Sequence, residues 1–179
     1  MLLPHGYDGA GPEHSSSRVE RFLQLCDQDE ELPENPETYD RQGLLEGVNM
    51  EVCFPSTAAN YFHLLRTHMR MPFRKPLIVI SPKKLLRLKG ACSTAADFLD
   101  GQRFKPVIED KNPDLLPRDQ VTKVLLCSGQ VYYDLEAERA KRGRNDVAIL
   151  RVESLCPFPF KEVIKNLKLY PVSYTHLRA

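Results

Sequence analysis

The sequence predicts an α/β fold with mostly parallel sheets, and three observations carry that prediction. An apolar, strand-like run at 48–54 is followed by a helical period and then by the continuous β-branched run LIVI at 77–80, all within about thirty-five residues. The same order recurs downstream, with a strand-like run at 124–127, a helical stretch at 131–142 and a second apolar run at 147–152. Ahead of both, Leu2-Leu3 ends an apolar run and opens into a glycine-rich loop that leads to a helix. A strand that feeds a helix and returns as a strand is a βαβ unit with a right-handed crossover, and short continuous apolar runs mark strands covered on both faces.

The loop LLPHGYDGAGPEHSSSR at 2–18 holds His5, His14 and three glycines. Ser17 followed by Glu20 reads as a capping box, and Val19, Phe22, Leu23 and Cys26 recur at helical spacing, so a helix is expected over 17–26. Residues 27–47 carry eight acidic side chains against one basic, with Pro33 and Pro36 between them, the composition of a solvated loop. The strand at 48–54 ends at Pro55. Ser56 or Thr57 caps the next helix, whose apolar side is Ala58, Tyr61, Phe62, Leu65 and Met69. Residues 88–120 show little periodicity beyond a short helix near 93–99, and 106–120 is expected to be an inter-domain linker. In the second unit Ser128-Gly129 makes the turn from strand to helix, and Pro157 and Pro159 break the chain before a last helix at about 160–169.

At 179 residues the chain fills one large domain or parts of two. Hydrophobic content of 42% and charged content of 27% are ordinary for a globular protein, and a net charge of +1 argues against a chain that neutralises nucleic acid. No apolar run approaches the roughly 20 residues needed to cross a bilayer. The five cysteines are odd in number and form no CxxC pair, which suits a reducing compartment. Cys53 and Cys127 fall inside strand-like runs, where a thiol serves as a small buried hydrophobe.

His5 is the first candidate for chemistry. Pro4 stiffens the exit from the strand and Gly6 removes bulk beside the imidazole, so the ring can reach a carboxylate or a carbonyl-derived oxygen and hold a proton near neutral pH. Wound sheets place ligands at the carboxyl ends of their strands. His14 stands one turn before the helix, where packing at the cap explains it as well as a role near a ligand does, and capping accounts for the serines at 15–17. From Arg66 to Lys89 there are eight Lys or Arg and no Asp or Glu. A charge run is most simply a solvated face, and its functional reading is contact with an anion or an acidic partner. Arg74, Lys75, Lys83 and Arg87 flank the 77–80 strand, so some of them are expected at its ligand-facing end.

Five ordered blocks resemble one family. The loop at 2–18, PSTAANYFHLLR at 55–66, FRKPLIVISPKKLLR at 73–87, LLCSGQVYYDL at 125–135 and VAILRVESLCPFPF at 147–160 are similar to stretches of the thiamine-diphosphate-dependent 2-oxoglutarate dehydrogenases, in their decarboxylating component. The 2-oxoadipate-type branch resembles the chain most. The resemblance implies a C-terminal fragment of a longer subunit: 1–105 as the end of a transketolase-like, pyrimidine-binding domain, 106–120 as a linker and 121–171 as part of a transketolase C-terminal-like domain. VSYTHLRA at 172–179 matches nothing in the family and is expected to be a non-native tail, so His176 is given no role.

The same resemblance implies that His5 is catalytic, in 2-oxo acid binding and proton handling, with Gly6 and His14 close to substrate or cofactor. It implies thiamine diphosphate and magnesium in the intact enzyme, a homodimer, a lipoyl acyltransferase partner and the mitochondrial matrix. Losing CO2 from a 2-oxo acid needs an electron sink that no side chain provides, so a cofactor must supply it. The family's GDG run for diphosphate and magnesium is absent here, and the glutamate that activates the pyrimidine would precede residue 1, so the fragment alone is expected to be inactive. The competing expectation is a non-catalytic interaction module whose basic 66–89 stretch docks an acidic partner.

Overall fold

Runs of Val, Ile and Leu become strands here because each residue finds cover on one face or the other. The computed structural model describes residues 1–4, 6, 16–29, 41–171 and 174–177. In chain order its elements are β1 (Leu2–Leu3), α1 (Val19–Gln24), α2 (Arg41–Gly47), β2 (Glu51–Cys53), α3 (Ala58–Arg70), β3 (Leu77–Ile80), β4 (Val107–Ile108), β5 (Lys123–Cys127), α4 (Val131–Lys141), β6 (Val147–Val152), β7 (Ser154–Cys156), α5 (Phe160–Leu167) and β8 (Tyr174–Leu177). Two four-stranded sheets result among the described residues, ordered β1-β3-β2-β7 and β4-β6-β5-β8. β1 and β2 run parallel to β3, and β5 runs parallel to β6. The fold is α/β with mostly parallel strands, as the sequence predicts.

Alternation along the strands divides the core. Val52, Ile78 and Ile80 face α1 through Val19 and Phe22, whereas Cys53, Leu77 and Val79 face α3 through Leu64. In the second sheet Val124, Leu126, Ala148 and Leu150 meet Val163 of α5, while Cys127 and Ile149 meet Tyr132 of α4. The strand read as doubly covered, 77–80, is buried at every position, and so is 147–152. Each fully buried Ile, Leu or Val contributes roughly 1.5–3 kcal/mol.

Several expectations need correction. The first helix spans Val19–Gln24 rather than 17–26 and has no capping box. Arg18 is its N-cap with φ 51, and that left-handed turn puts Ser17 one residue outside the cap, with its hydroxyl buried and unpartnered. Ser16 Oγ instead accepts the Arg18 N–H at 2.9 Å. Within the acidic 27–47 stretch, residues 41–47 form α2, held by burial of Leu45. The 106–120 stretch is not a plain linker: β4 pairs antiparallel with β6, and the Pro106 carbonyl accepts from Glu153 N–H at 2.8 Å and Ser154 N–H at 3.2 Å. Residues 174–177, expected to belong to a non-native tail, lie parallel to β5 as β8, which covers an otherwise open strand edge. The short helix near 93–99 is a 3-10 turn at Ala95–Phe98, capped reciprocally by Thr94 and Asp97.

The two sheets are tied by β7, which follows β6 after one residue yet pairs antiparallel with β2 of the first sheet. This return brings the turn after β5 against the end of β2. Gly129 sits at φ +66, and a Cβ there would come within 2.2 Å of the Phe54 ring. Gly129→Ala is therefore expected to cost about 2–4 kcal/mol, combining left-handed strain with overpacking. Gly143 has φ +61 but open space within 4 Å of where a Cβ would stand, so Gly143→Ala should lose only about 1 kcal/mol of backbone strain. Urea denaturation of the two variants checks the difference.

Candidate functional site

Because β1, β2 and β3 are parallel, Pro4, Pro55 and Ser81 leave the first sheet at one edge, the carboxyl edge. A cavity of about 490 Å3 opens there. Its apolar wall is built by Leu2, Pro4, Pro55, Tyr61, Leu85 and Leu86, and the polar groups on it include Ser56, Thr57, Ser81 and Lys83. In sequence His5 follows Pro4, a residue of this wall.

A buried carboxylate fixes the floor of that edge. Glu153, fully buried between β6 and β7, accepts from Ser56 N–H at 2.7 Å, Ser56 Oγ–H at 2.5 Å and Asn60 Nδ2–H at 3.0 Å. Arg151 donates to Ser56 Oγ at 3.1 Å and lies 4.1 Å over the Tyr132 ring. Tyr133 donates its phenol to the Ser56 carbonyl at 2.6 Å, and burial pushes that phenol up to about 12. Burial also raises the Glu153 carboxyl, and the donors from Ser56 and Asn60 and the charge of Arg151 offset only part of the rise. Ser56, on the wall of the cavity, is thus positioned by residues almost a hundred positions away. Cys127 is buried and pushed up to about 12, the inert thiol expected of a strand interior.

The predicted site residues are not all brought together. His5 and His14 lie outside the described residues. Gly6 is buried just beyond β1. Lys83 reaches the cavity, exposed, beyond the carboxyl end of β3. Arg74 and Lys75 precede β3 and stand at the opposite edge, so of the three cations Lys83 is the one at the cavity end. Their chemistry is spent on backbone. Arg74 donates to the Met71 and Phe73 carbonyls at 2.7 and 3.0 Å, and Lys75 caps the end of α2 through the carbonyls of Leu45, Glu46 and Val48. Reading the sequence missed Glu153, Arg151 and Asn60. The available signal was an Arg and a Glu two residues apart inside a run otherwise apolar enough to be wholly buried.

With this geometry in view, comparison with known proteins decides the family. Residues 1–89 match the family model "Transketolase, pyrimidine binding domain", and residues 92–177 match "2-oxoglutarate dehydrogenase C-terminal". The 2-oxoadipate dehydrogenase complex component E1 of Xenopus laevis is 50% identical over 96% of this chain and 17% of its own length. The mitochondrial 2-oxoglutarate dehydrogenase of Dictyostelium discoideum is 47% identical over 96% of this chain and 17% of its own length.

The chain belongs to the 2-oxoglutarate dehydrogenase family. It spans about a sixth of the length of the curated family members it matches. Among solved structures, a split-gene transketolase described as an inactive beta4 tetramer is similar at a TM-score of 0.45 and 16% identity, over 73% of this chain and 39% of that one.

Two measurements test the site as described. Lys75→Met should cost about 1–3 kcal/mol by leaving three helix-end carbonyls without their cation, whereas Lys83→Met should stay within about 0.5 kcal/mol in the same denaturation assay. Glu153 has a folded-state proton affinity above its ordinary value of 4.5, so the folded chain binds that proton more tightly than the unfolded chain. Its contribution to stability is therefore expected to fall as pH rises from about 4.5 through the raised value. Relative to Glu153→Gln, the unchanged chain should gain up to about 1.4 kcal/mol per pH unit on acidification through that window, measured as the difference between two stability–pH curves.

Proposed function

We propose that the chain is the C-terminal part of a subunit that decarboxylates 2-oxoglutarate or 2-oxoadipate and passes the acyl group to a lipoyl acyltransferase. The observation that carries this reading is the apolar cavity at the carboxyl edge of the first sheet, placed where the His5 loop leaves β1, in a chain of this family. Residues 1–105 would complete the pyrimidine-binding domain, and 121–171 would contribute to the C-terminal domain. The subunit would act as a homodimer in the mitochondrial matrix.

The walls fit one end of thiamine diphosphate. Leu2, Pro4, Pro55, Tyr61 and Leu85 offer an uncharged aromatic heterocycle an apolar slot, with the Ser56 and Thr57 hydroxyls beside it. The diphosphate and magnesium would fall to other parts of the subunit, since the family's GDG run is absent from this chain. When bound, the thiazolium supplies the electron sink for loss of CO2. The residues of this chain would then bind and orient: the apolar wall excludes water, Lys83 attracts the carboxylate of an incoming 2-oxo acid, and His5 hydrogen-bonds the substrate and carries a proton. Gly6 would leave room for that ring, and His14 would lie near it.

The reading of the 66–89 stretch as a single docking surface loses support because its cations divide between opposite edges of the sheet. Two outcomes test the enzymatic reading. In the intact subunit His5→Ala should lower kcat/KM roughly 100-fold, the scale of a lost acid–base group, with the circular dichroism spectrum unchanged. The 179-residue chain alone, given thiamine diphosphate and magnesium, should release no CO2 from either 2-oxo acid. Unaltered kinetics in the first experiment, or turnover in the second, would overturn the assignment.

A further inference from the structure

Two of the five free cysteines come together on one face of the first sheet. Cys156 of β7 is 2% exposed and shares a core with Val19, Val52 and Ile78, and Cys26, half-buried just past α1, packs against that core. The two thiols lie within hydrogen-bonding reach of one another. Each also has a backbone carbonyl for its proton: Cys26 Sγ–H donates to Phe22 at 3.2 Å and Cys156 Sγ–H to Met50 at 3.5 Å. The other three thiols lie elsewhere. Cys53 is on the neighbouring strand but faces Leu64 of α3 on the opposite side, Cys127 is in the second sheet, and Cys92 is exposed.

The chain on either side of Cys26 is pinned beside the same two strands. Asp27 accepts the Asn49 N–H at 2.6 Å, Asn49 Nδ2–H donates to the Leu25 carbonyl at 2.8 Å, and Gln28 Oε1 accepts the Phe158 N–H at 2.8 Å. Residues 25–28 are thereby held between the entry to β2 and the exit from β7, and the two sulfurs stay neighbours in the folded chain. They differ in access, which suits a stepwise exchange: Cys26 is reached from solvent, whereas Cys156 is not. Burial raises both thiols above their ordinary value, and Cys156 further, so Cys26 is the one that begins. Paired free thiols of this kind are how a chain in a reducing compartment uses a transient disulfide.

We propose that Cys26 and Cys156 are a reversible redox pair that fastens the end of α1 to β7 when the chain meets a small-molecule disulfide. The Cys26 thiolate attacks one sulfur of that disulfide, forming a mixed disulfide and releasing a small thiolate, which takes up the proton Cys26 lost. Cys156, deprotonated in turn, attacks the Cys26 sulfur and expels the second small thiol. Two protein thiols are oxidised and one small disulfide is reduced to two thiols, with no further reactant. The segment restrained is a six-residue helix, too short to hold itself and anchored on the sheet through Val19 and Phe22. The new bond would tie it down from its other end. On the decarboxylation reading, and resting on it, this is the helix into which the His5 segment runs in sequence.

Oxidised glutathione added to the reduced 179-residue chain tests the pair, and its readout does not depend on the decarboxylation reading. After remaining thiols are blocked and the chain is cut with trypsin without reductant, peptide 22–41 is expected joined to peptide 152–161, and dithiothreitol should separate them. The link should form about tenfold faster, or more, in the folded chain than in urea, where the thiols lose their proximity. Amide exchange across α1 should slow about tenfold in the oxidised chain and recover on reduction. Cys92→Ser should leave the link as it was, and Cys26→Ser should abolish both the link and the change in exchange. A Cys26 that keeps glutathione as a mixed disulfide, a link formed no faster than in urea, or unaltered exchange in α1 would overturn the proposal.

Discussion

The Glu153 carboxylate is the constraint on which the arrangement of the two sheets depends. A carboxylate taken wholly out of water is too costly to keep unless its lone pairs are met, and here every group of the residue is used. Its N–H goes to Pro106, its carbonyl accepts from Phe54, and its side chain takes three donors from Ser56 and Asn60 at the start of α3. The positive end of α3 adds a favourable field at the same place. Glu153 belongs to the connection between β6 and β7, whereas its partners follow β2. One residue thereby fixes the angle at which the chain leaves the second sheet and returns to the first.

That closure has a direct consequence for the cavity at the carboxyl edge. Pro55, Ser56 and Thr57 form one of its sides, and a three-residue turn has little stiffness of its own. Ser56 is held at its N–H, its hydroxyl and its carbonyl by Glu153, Arg151 and Tyr133, all from the second part of the chain. This wall is thus built as a buried polar network, where each member is satisfied only if the others are in place.

How far this was legible from sequence follows the range of each interaction. The runs at 77–80 and 147–152 and the helix from Ala58 are local patterns, and they emerge as read, with Thr57 accepting from Asn60 N–H as a helix cap should. The α2 helix was not legible, since a glycine-containing, seven-residue segment has almost no intrinsic helicity. It is held from outside, by burial of Leu45, by the Arg41–Glu51 ion pair and by Lys75 at its end. The role of Lys75 at the end of α2 is hidden for the same reason: its acceptors lie about thirty residues upstream in a stretch that composition alone marks as loop. Glu153 and Ser56 are 97 positions apart, and no periodicity connects them. The five family blocks supplied what spacing could not, the expectation that the strand exit at Pro4 opens toward chemistry.

The division of the sequence at about residue 90 is real in evolutionary terms, since two family models meet there, yet the physical boundary lies elsewhere. β7 is encoded in the second half and completes the first sheet, and β4 is drawn from the expected linker into the second. Cutting between the halves would leave β2 without its antiparallel neighbour, strip Glu153 of all three side-chain donors and expose the Arg151 guanidinium. The pyrimidine-binding part is therefore not an autonomous scaffold to which a structural module is appended. Its carboxyl edge takes its shape from the module, so changes confined to the C-terminal half reach the cavity through Ser56.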